Sequence, residues 1–178
     1  MVKLHKTDGG RQSAGYTCEN KDCTVRSFAC AADVPYSVAH DVARRSGRKN
    51  GKGWYPEKIL AVAAQEGLVE FVKVPVGAQH VQRHHWLHGF VTKIQYPTVE
   101  QVARRHTQGR YIVVTCNHAM ALIDGVVHDG GVRPKARVQV IYEVRPKVGT
   151  PKQLKAAPPC TQSQVNELWE RLNQLEAR

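Results

Sequence analysis

The most informative part of this 178-residue sequence is Asn20-Lys-Asp22-Cys23-Thr-Val-Arg26-Ser-Phe28-Ala-Cys30. A polar, turn-forming run ends at Cys23, where an amphipathic pattern begins. We therefore expect a helix from Cys23 to about Ala32; either Asp22 caps its start, or Asp33 ends it and caps the segment that follows. Free backbone N–H groups and the helix dipole at a first turn lower the pKa of a thiol and favour an oxyanion. The stretch therefore predicts a nucleophilic cysteine.

A base and an orienting group are found downstream, in Asn117-His118-Ala-Met-Ala-Leu-Ile-Asp124-Gly125-Val-Val-His128-Asp129. The pattern predicts two strands joined by a hairpin turn at Asp124-Gly125. A catalytic thiolate needs an imidazole that exchanges its proton, and the imidazole needs a third group that holds its ring. We expect His118 as the base and Asp129 as the orienting group, because hairpin pairing brings their ends of the two strands together. Asp124 lies roughly 20 Å along the strand and is better explained by the turn.

Composition limits the class of protein. The start of the chain shows no apolar signal-peptide core, and no apolar run approaches the roughly 20 residues of a membrane span. We therefore expect a cytoplasmic protein that does not contact a membrane. Five cysteines, an odd number, favour free thiols over a disulfide framework. The formal charge of +11 fits an acidic partner, a nucleic acid or simply high solubility.

Periodicity and turn residues divide the chain into four parts. We expect an N-terminal arm over 1–17, a main domain over 18–145, a linker over 146–160 and a C-terminal helix over 161–178. In the main domain the patterns predict further helices over 36–46, 56–65 and 98–107. They also predict strands over 68–74, 110–115, 118–123, 126–129 and 138–144. Residues 76–91 fit no clean pattern, because histidines interrupt it.

The C-terminal helix carries a stripe of apolar residues at helical spacing: Val165, Leu168, Leu172 and Leu175. The stripe is too short to indicate a coiled coil. Two interpretations stay open, docking on the main domain and pairing with another protein.

Three further motifs accompany the two segments quoted above: Pro35-Tyr-Ser-Val-Ala-His40, Gly47-Arg-Lys-Asn-Gly51 and Gly109-Arg-Tyr-Ile-Val113. Together these residues make the chain resemble the papain-like cysteine peptidases, above all small members of bacteriophage origin, over roughly 18–144. The resemblance implies an α+β papain-like fold, with N-terminal helices packed on a small antiparallel sheet and an extra C-terminal helix. It also implies hydrolysis of a peptide or isopeptide bond in a protein substrate, without a cofactor, in the host cytosol or in the virion.

By position, the resemblance implies Cys23 as the nucleophile, His118 as the base and Asp129 as the orienting group. Papain-like enzymes usually carry a glutamine several residues before the cysteine, and it completes the oxyanion hole. Here Thr17 lies six residues before Cys23, and the nearest upstream glutamine is Gln12. The side chain of Asn20 or Asp22 is therefore expected to join the Cys23 N–H in binding the oxyanion.

Other uses of the same side chains must be weighed. Cys116 is a rival nucleophile, but it lacks a helix N-terminus that would lower its pKa. A zinc site would draw on Cys18, Cys23, His84, His85 and His88, but the spacing is not that of common zinc sites, so we expect no metal.

A basic segment begins in the last turn of the second predicted helix and continues beyond it, and it is either a solvated surface or a contact for phosphates or an acidic partner. Its residues are Arg44, Arg45, Arg48, Lys49 and Lys52. Two further classes of function therefore stay open beside the enzyme. One is a non-catalytic virion or binding component, and the other is a basic nucleic-acid-binding protein.

Overall fold

The computed structural model describes residues 2–87, 89–131 and 133–147 of the chain. The helix predicted over 161–178 lies outside the described residues, as does most of the predicted linker. In the described part the fold is α+β, with four helices and eight strands.

The helices are α1 (Cys23–Ala32), α2 (Tyr36–Arg45), α3 (Pro56–Gln65) and α4 (Val99–Arg105). Helix α1 begins at Cys23 as predicted, and it ends at Asp33, whose left-handed backbone (φ 56°) closes the last turn. Asp22 occupies the N-cap position as predicted, but its side chain accepts no hydrogen bond from the backbone of the first turn. Helix α4 starts with a capping box, in which Thr98 and Gln101 each bond to the backbone of the other.

Six strands form one sheet in the order β1-β7-β6-β5-β8-β2. These are β1 (Lys3–Lys6), β2 (Val69–Val74), β5 (Arg110–Thr115), β6 (Ala119–Ile123), β7 (Val126–Asp129) and β8 (Val138–Pro146). The sheet is mixed rather than wholly antiparallel as predicted, because β1 pairs with β7 in parallel. This pairing ties the N-terminal segment to the sheet, and the Thr7 N–H donates to the Asp129 carbonyl at 3.0 Å.

Residues 76–91, which fit no clean sequence pattern, contribute to a separate hairpin of β3 (Gln79–His85) and β4 (Gly89–Gln95). In its register His80 faces Ile94 and His84 faces Phe90. These side chains are exposed. A strand without a buried face shows no alternation of apolar and polar residues, which explains why sequence patterns missed it.

Both faces of the main sheet are covered. Ile112 and Ala121 point into a core shared with α1, α2 and α3. Their neighbours Val113 and Leu122 point into a second core, shared with α4. Alternation along β5 and β6 thus supplies both cores, and α1 lies against β6. None of the helices in the described part is long and apolar enough to span a membrane.

Candidate active site

Cys23 is partly buried at the first turn of α1. Burial of the thiol opposes its ionisation. The His118 ring, the Ala119 N–H and the Thr24 side chain all interact with the sulfur, and together they hold the pKa of the Cys23 thiol below its ordinary value. The sulfur therefore lies in an environment that favours the thiolate.

His118 lies between β5 and β6, where its backbone is fixed. Its carbonyl accepts from the Thr115 N–H at 2.8 Å and from the Thr115 hydroxyl at 3.2 Å. The His118 Nε2 atom lies 2.6 Å from Asp129 Oδ2, which leaves Nδ1 as the ring nitrogen for the Cys23 sulfur. The bond to Asp129, and next the interaction with Cys23, raise the pKa of His118 to about 9. The raised pKa of His118 and the lowered pKa of Cys23 both favour the charged forms, so the site stabilises an imidazolium beside a thiolate.

Asp129 ends β7 and is almost fully buried. One carboxylate oxygen holds His118, and the other accepts from Arg26 Nη1 at 3.1 Å. Burial would raise the pKa of Asp129, but the His118 ring, the Gly130 N–H and the Arg26 guanidinium keep it below its ordinary value. Asp129 is thus held as a carboxylate with both oxygens engaged.

Arg26 joins Asp129 to Asp22 and was missed as a site residue. Its Nε donates to Asp22 Oδ1 at 3.1 Å, and Tyr36 Oη donates to Asp22 Oδ2 at 2.9 Å. The side chains of Asp22, Arg26, Asp129 and His118 are linked in that order by hydrogen bonds. The last of them interacts with Cys23, which directly follows Asp22 in the chain. The signal in the sequence was the spacing of four residues between Asp22 and Arg26, which places an acid and a base on one helical face.

The prediction that Asp22 supplies the oxyanion hole is wrong, because a buried carboxylate engaged by two donors offers no proton to an oxyanion. Asn20 is exposed, and its side-chain oxygen lies beside Gly51, where an added Cβ would be 3.4 Å away. Backbone groups remain for the oxyanion. The first bond within α1 runs from the Arg26 N–H to the Asp22 carbonyl, so the preceding N–H groups, starting with that of Cys23, have no partner within the helix.

The basic segment is mostly neutralised by nearby acids. Arg48, predicted as a phosphate contact, is buried and donates to Glu19 Oε2 at 2.7 Å, which corrects that prediction. Arg44 pairs with Asp41, and Arg45 pairs with Asp41 and Glu66. Only the exposed Lys49 and Lys52 of the predicted set have no carboxylate within ion-pair distance in the described part of the chain.

Glu19 also accepts from a buried histidine, His40, whose Nε2 lies 3.0 Å from Glu19 Oε1. Sequence patterns gave no sign of this second cluster of Glu19, Arg48 and His40, since the three residues lie far apart in the chain.

The geometry of the described residues supports neither Cys116 as the nucleophile nor a zinc site. Cys116 is exposed. Within residues 2–87, 89–131 and 133–147, no three His, Cys, Asp or Glu side chains are arranged to hold a metal ion. One member of the zinc set considered above, His88, lies outside the described residues. Cys18 is exposed, with its Sγ 3.8 Å from the Thr17 hydroxyl oxygen.

Comparisons of the chain with models of protein families, with curated proteins and with solved structures found no match. The chemistry of the site must therefore be argued from its own geometry. A partly buried thiol, an imidazole held at one nitrogen and a buried carboxylate can together perform nucleophilic acyl transfer.

Proposed function

We propose that the chain is a papain-like thiol hydrolase that cleaves a peptide or isopeptide bond. Cys23 is the nucleophile, His118 the general base and acid, and Asp129 the group that orients the imidazole. The observation that carries the proposal is the 2.6 Å bond from His118 Nε2 to Asp129, made by a ring whose interaction with the Cys23 sulfur lowers the pKa of that thiol. A merely structural histidine has no need of a thiol with a lowered pKa beside it.

In the first step the Cys23 thiolate attacks the substrate carbonyl carbon. A C–S bond forms, and the carbonyl π electrons move to the oxygen. The free N–H groups at the first turn of α1 stabilise this oxyanion. When the carbonyl forms again, the C–N bond breaks and His118 gives its proton to the leaving amine. An acyl-thioester on Cys23 and a neutral imidazole remain.

In the second step the neutral His118 takes a proton from water while the water oxygen attacks the thioester carbon. Collapse of this second oxyanion breaks the C–S bond, releases the acid and restores the thiolate–imidazolium pair. Asp129 stays ionised throughout, because it accepts from His118 and from Arg26 in every step. The cycle needs water and no cofactor.

The polypeptide arrangement fits a papain-like fold. The nucleophile starts a helix of the N-terminal helical part, the base directly precedes β6, and the orienting group ends the adjacent strand β7. Because α1 lies against β6, the thiol and the imidazole meet at the junction of the two parts. A substrate carbonyl can approach there, since the His118 side chain keeps 35% of its surface exposed.

Alkylation of the cysteines with iodoacetamide tests the proposal. At pH 7 we expect Cys23 to react faster than Cys18 and Cys116, although both of those thiols are more exposed. Peptide mass spectrometry gives the three rates in one sample. The Cys23 rate should fall by at least about 100-fold in His118→Ala, while the other two rates stay unchanged. Equal rates for all three cysteines would contradict the proposal.

Turnover of p-nitrophenyl acetate separates catalysis from a reactive thiol alone. We expect a burst of p-nitrophenol as Cys23 is acylated, followed by a slower steady release as water cleaves the thioester. Cys23→Ser should abolish both phases, and Cys116→Ser should keep both. Stoichiometric acylation of Cys23 that never turns over would show that the hydrolytic step is missing.

A further inference from the structure

Four exposed cations, three arginines and one lysine, have no carboxylate within ion-pair distance among the described residues. They are Arg105, Arg133, Lys135 and Arg137, which we call the basic collar. By contrast, Arg44, Arg45 and Arg48 all pair with acids. In the segment that the sequence indicated, only Lys49 and Lys52 stay unpaired among the described residues, so most of its charge is neutralised and that of the collar is not.

The basic collar surrounds the base of the β3–β4 hairpin. Arg105 lies beside Gly77 on the way into β3, where an added Cβ would be 3.0 Å from its Nη1. Arg137 Nη1 donates to the Tyr96 carbonyl, just after β4, at 2.8 Å. Arg133 and Lys135 lie in the loop whose Pro134 and Ala136 carbonyls accept from the first N–H groups of α4. The nearest acid of that helix, Glu100, pairs with Arg104.

The hairpin itself presents aromatic rings and no negative charge. Trp86 is 80% exposed and Phe90 is 74% exposed. From Phe71 to Val99 the sequence contains no Asp or Glu. On the Phe90 face, polar side chains separate the apolar ones, namely His80, Gln82, His84 and Thr92. On this face Phe90 and Ile94 are separated by Thr92, so their side chains do not form the continuous apolar patch that a protein partner usually covers.

We propose that the β3–β4 hairpin and the basic collar form a binding surface for single-stranded nucleic acid. Phosphates contact the collar, and exposed bases stack on Trp86 and Phe90. Positive charge that follows the backbone and aromatic rings that accept any base are the two requirements for such binding. The surface uses none of Cys23, His118 and Asp129, so it stands independently of the hydrolase proposal.

Fluorescence anisotropy of the whole chain with a labelled thymidine oligonucleotide, about twenty nucleotides long, tests the proposal. We expect saturable binding at low micromolar concentration or tighter in about 50 mM salt, with an affinity that falls as salt rises. The Trp86→Ala/Phe90→Ala variant should weaken binding at least about five-fold without changing the salt slope, because it removes stacking and no charge.

Two matched pairs of charge removals locate the contact. Arg133→Gln/Lys135→Gln should reduce the salt slope by roughly 1.4, about 0.7 for each lost contact with a single strand. Lys49→Gln/Lys52→Gln removes two exposed cations elsewhere and should leave the affinity within about two-fold. Equal losses of affinity in the two double variants would show that binding depends on the overall positive charge rather than on the basic collar, and would overturn the proposal.

Competitors test which chemistry is recognised. Polyglutamate of equal charge should compete poorly, because it offers no bases, and a duplex of the same length should bind more weakly than the single strand. Polyglutamate that competes as well as the oligonucleotide, or a duplex that binds equally well, would overturn the proposal. The variants lie on exposed residues, so unchanged urea unfolding midpoints should verify that each one folds.

Discussion

Two clusters near the start of α1 are built from the same three groups, an arginine, a carboxylate and a histidine. The first consists of Arg26, Asp129 and His118, and the second of Arg48, Glu19 and His40. In both, the carboxylate accepts from the guanidinium and from Nε2 of the imidazole.

The clusters differ in what lies on the other side of the imidazole. The His40 side chain is 8% exposed and packs against the Tyr16 ring at 4.6 Å and the Tyr36 ring at 6.1 Å between centroids. The His118 side chain is 35% exposed, and its interaction with the Cys23 thiol helps to raise the pKa of the imidazole. The pairing of an acid with a histidine therefore does not define a reactive site. What distinguishes the proposed site is an accessible imidazole beside a thiol.

The largest effect is expected from breaking the enclosed cluster. Arg48→Met leaves the Glu19 carboxylate buried without its guanidinium, so the free energy of unfolding should fall by about 3–5 kcal/mol. Urea unfolding at pH 7 measures the change. Removing both charges in Glu19→Met/Arg48→Met should cost clearly less than the single change, because no unpaired charge stays buried. Arg44→Met, at an exposed pair, should cost under about 0.5 kcal/mol.

Breaking the open cluster should cost less stability. Arg26→Gln removes a guanidinium that bonds Asp22 and Asp129 at 3.1 Å each, and we expect a loss of about 1.5–3 kcal/mol in the same urea experiment. Arg26→Lys should recover only part of this loss, since an ammonium lacks the planar fork that reaches both carboxylates. Full recovery by lysine would show that charge alone, rather than the bridge, is what matters.

Reactivity should depend on one carboxylate and not on the other. Asp129→Asn replaces the group that stabilises the His118 imidazolium, so alkylation of Cys23 at pH 7 should slow by at least about ten-fold. Glu19→Gln makes the same chemical change in the enclosed cluster and should leave the alkylation rate of the folded protein within about two-fold. Equal slowing in both variants would remove the distinction between the clusters.

The smallest effect concerns pH. The folded-state pKa of His118 is raised, so its stabilising contribution is complete below its ordinary value of 6.5 and is lost as pH rises through about 9. The lowered pKa of Cys23 acts in the opposite direction, because the folded chain has already released that proton. Cys23→Ser should therefore lose unfolding free energy between pH 6 and 9 more steeply than the unaltered chain. A steeper loss in the unaltered chain would contradict the coupled pair.

Much of the fold follows from local patterns. Helix α1, helix α3 and strand β5 have the predicted bounds, because turn residues or a proline mark their ends and apolar spacing fills their interiors. The hairpin turn at Asp124-Gly125 forms with φ of 48° and 77°, as such a dipeptide favours. That turn aligns β6 with β7, and so the approach of Asp129 to His118 could be anticipated from sequence.

Contacts between distant residues could not be anticipated in the same way. Glu19 and Arg48 belong to segments that both read as polar surface, and only the packed structure shows them buried together. The parallel pairing of β1 with β7 likewise joins two strands that lie more than 100 residues apart in the chain, without any local signal. Electrostatic partners follow no periodicity, so charge clusters must be located in three dimensions before they are assigned a role.

The chain order of the site has a consequence for synthesis. The base and the orienting group follow Cys23 by roughly 100 residues, so at about 5–20 residues per second a ribosome makes them some 5–20 s later. During that interval the nascent chain carries a cysteine without its imidazole, its sheet or the strand that bears Asp129. In the proposed mechanism, the activated thiolate therefore forms only after translation has passed β7.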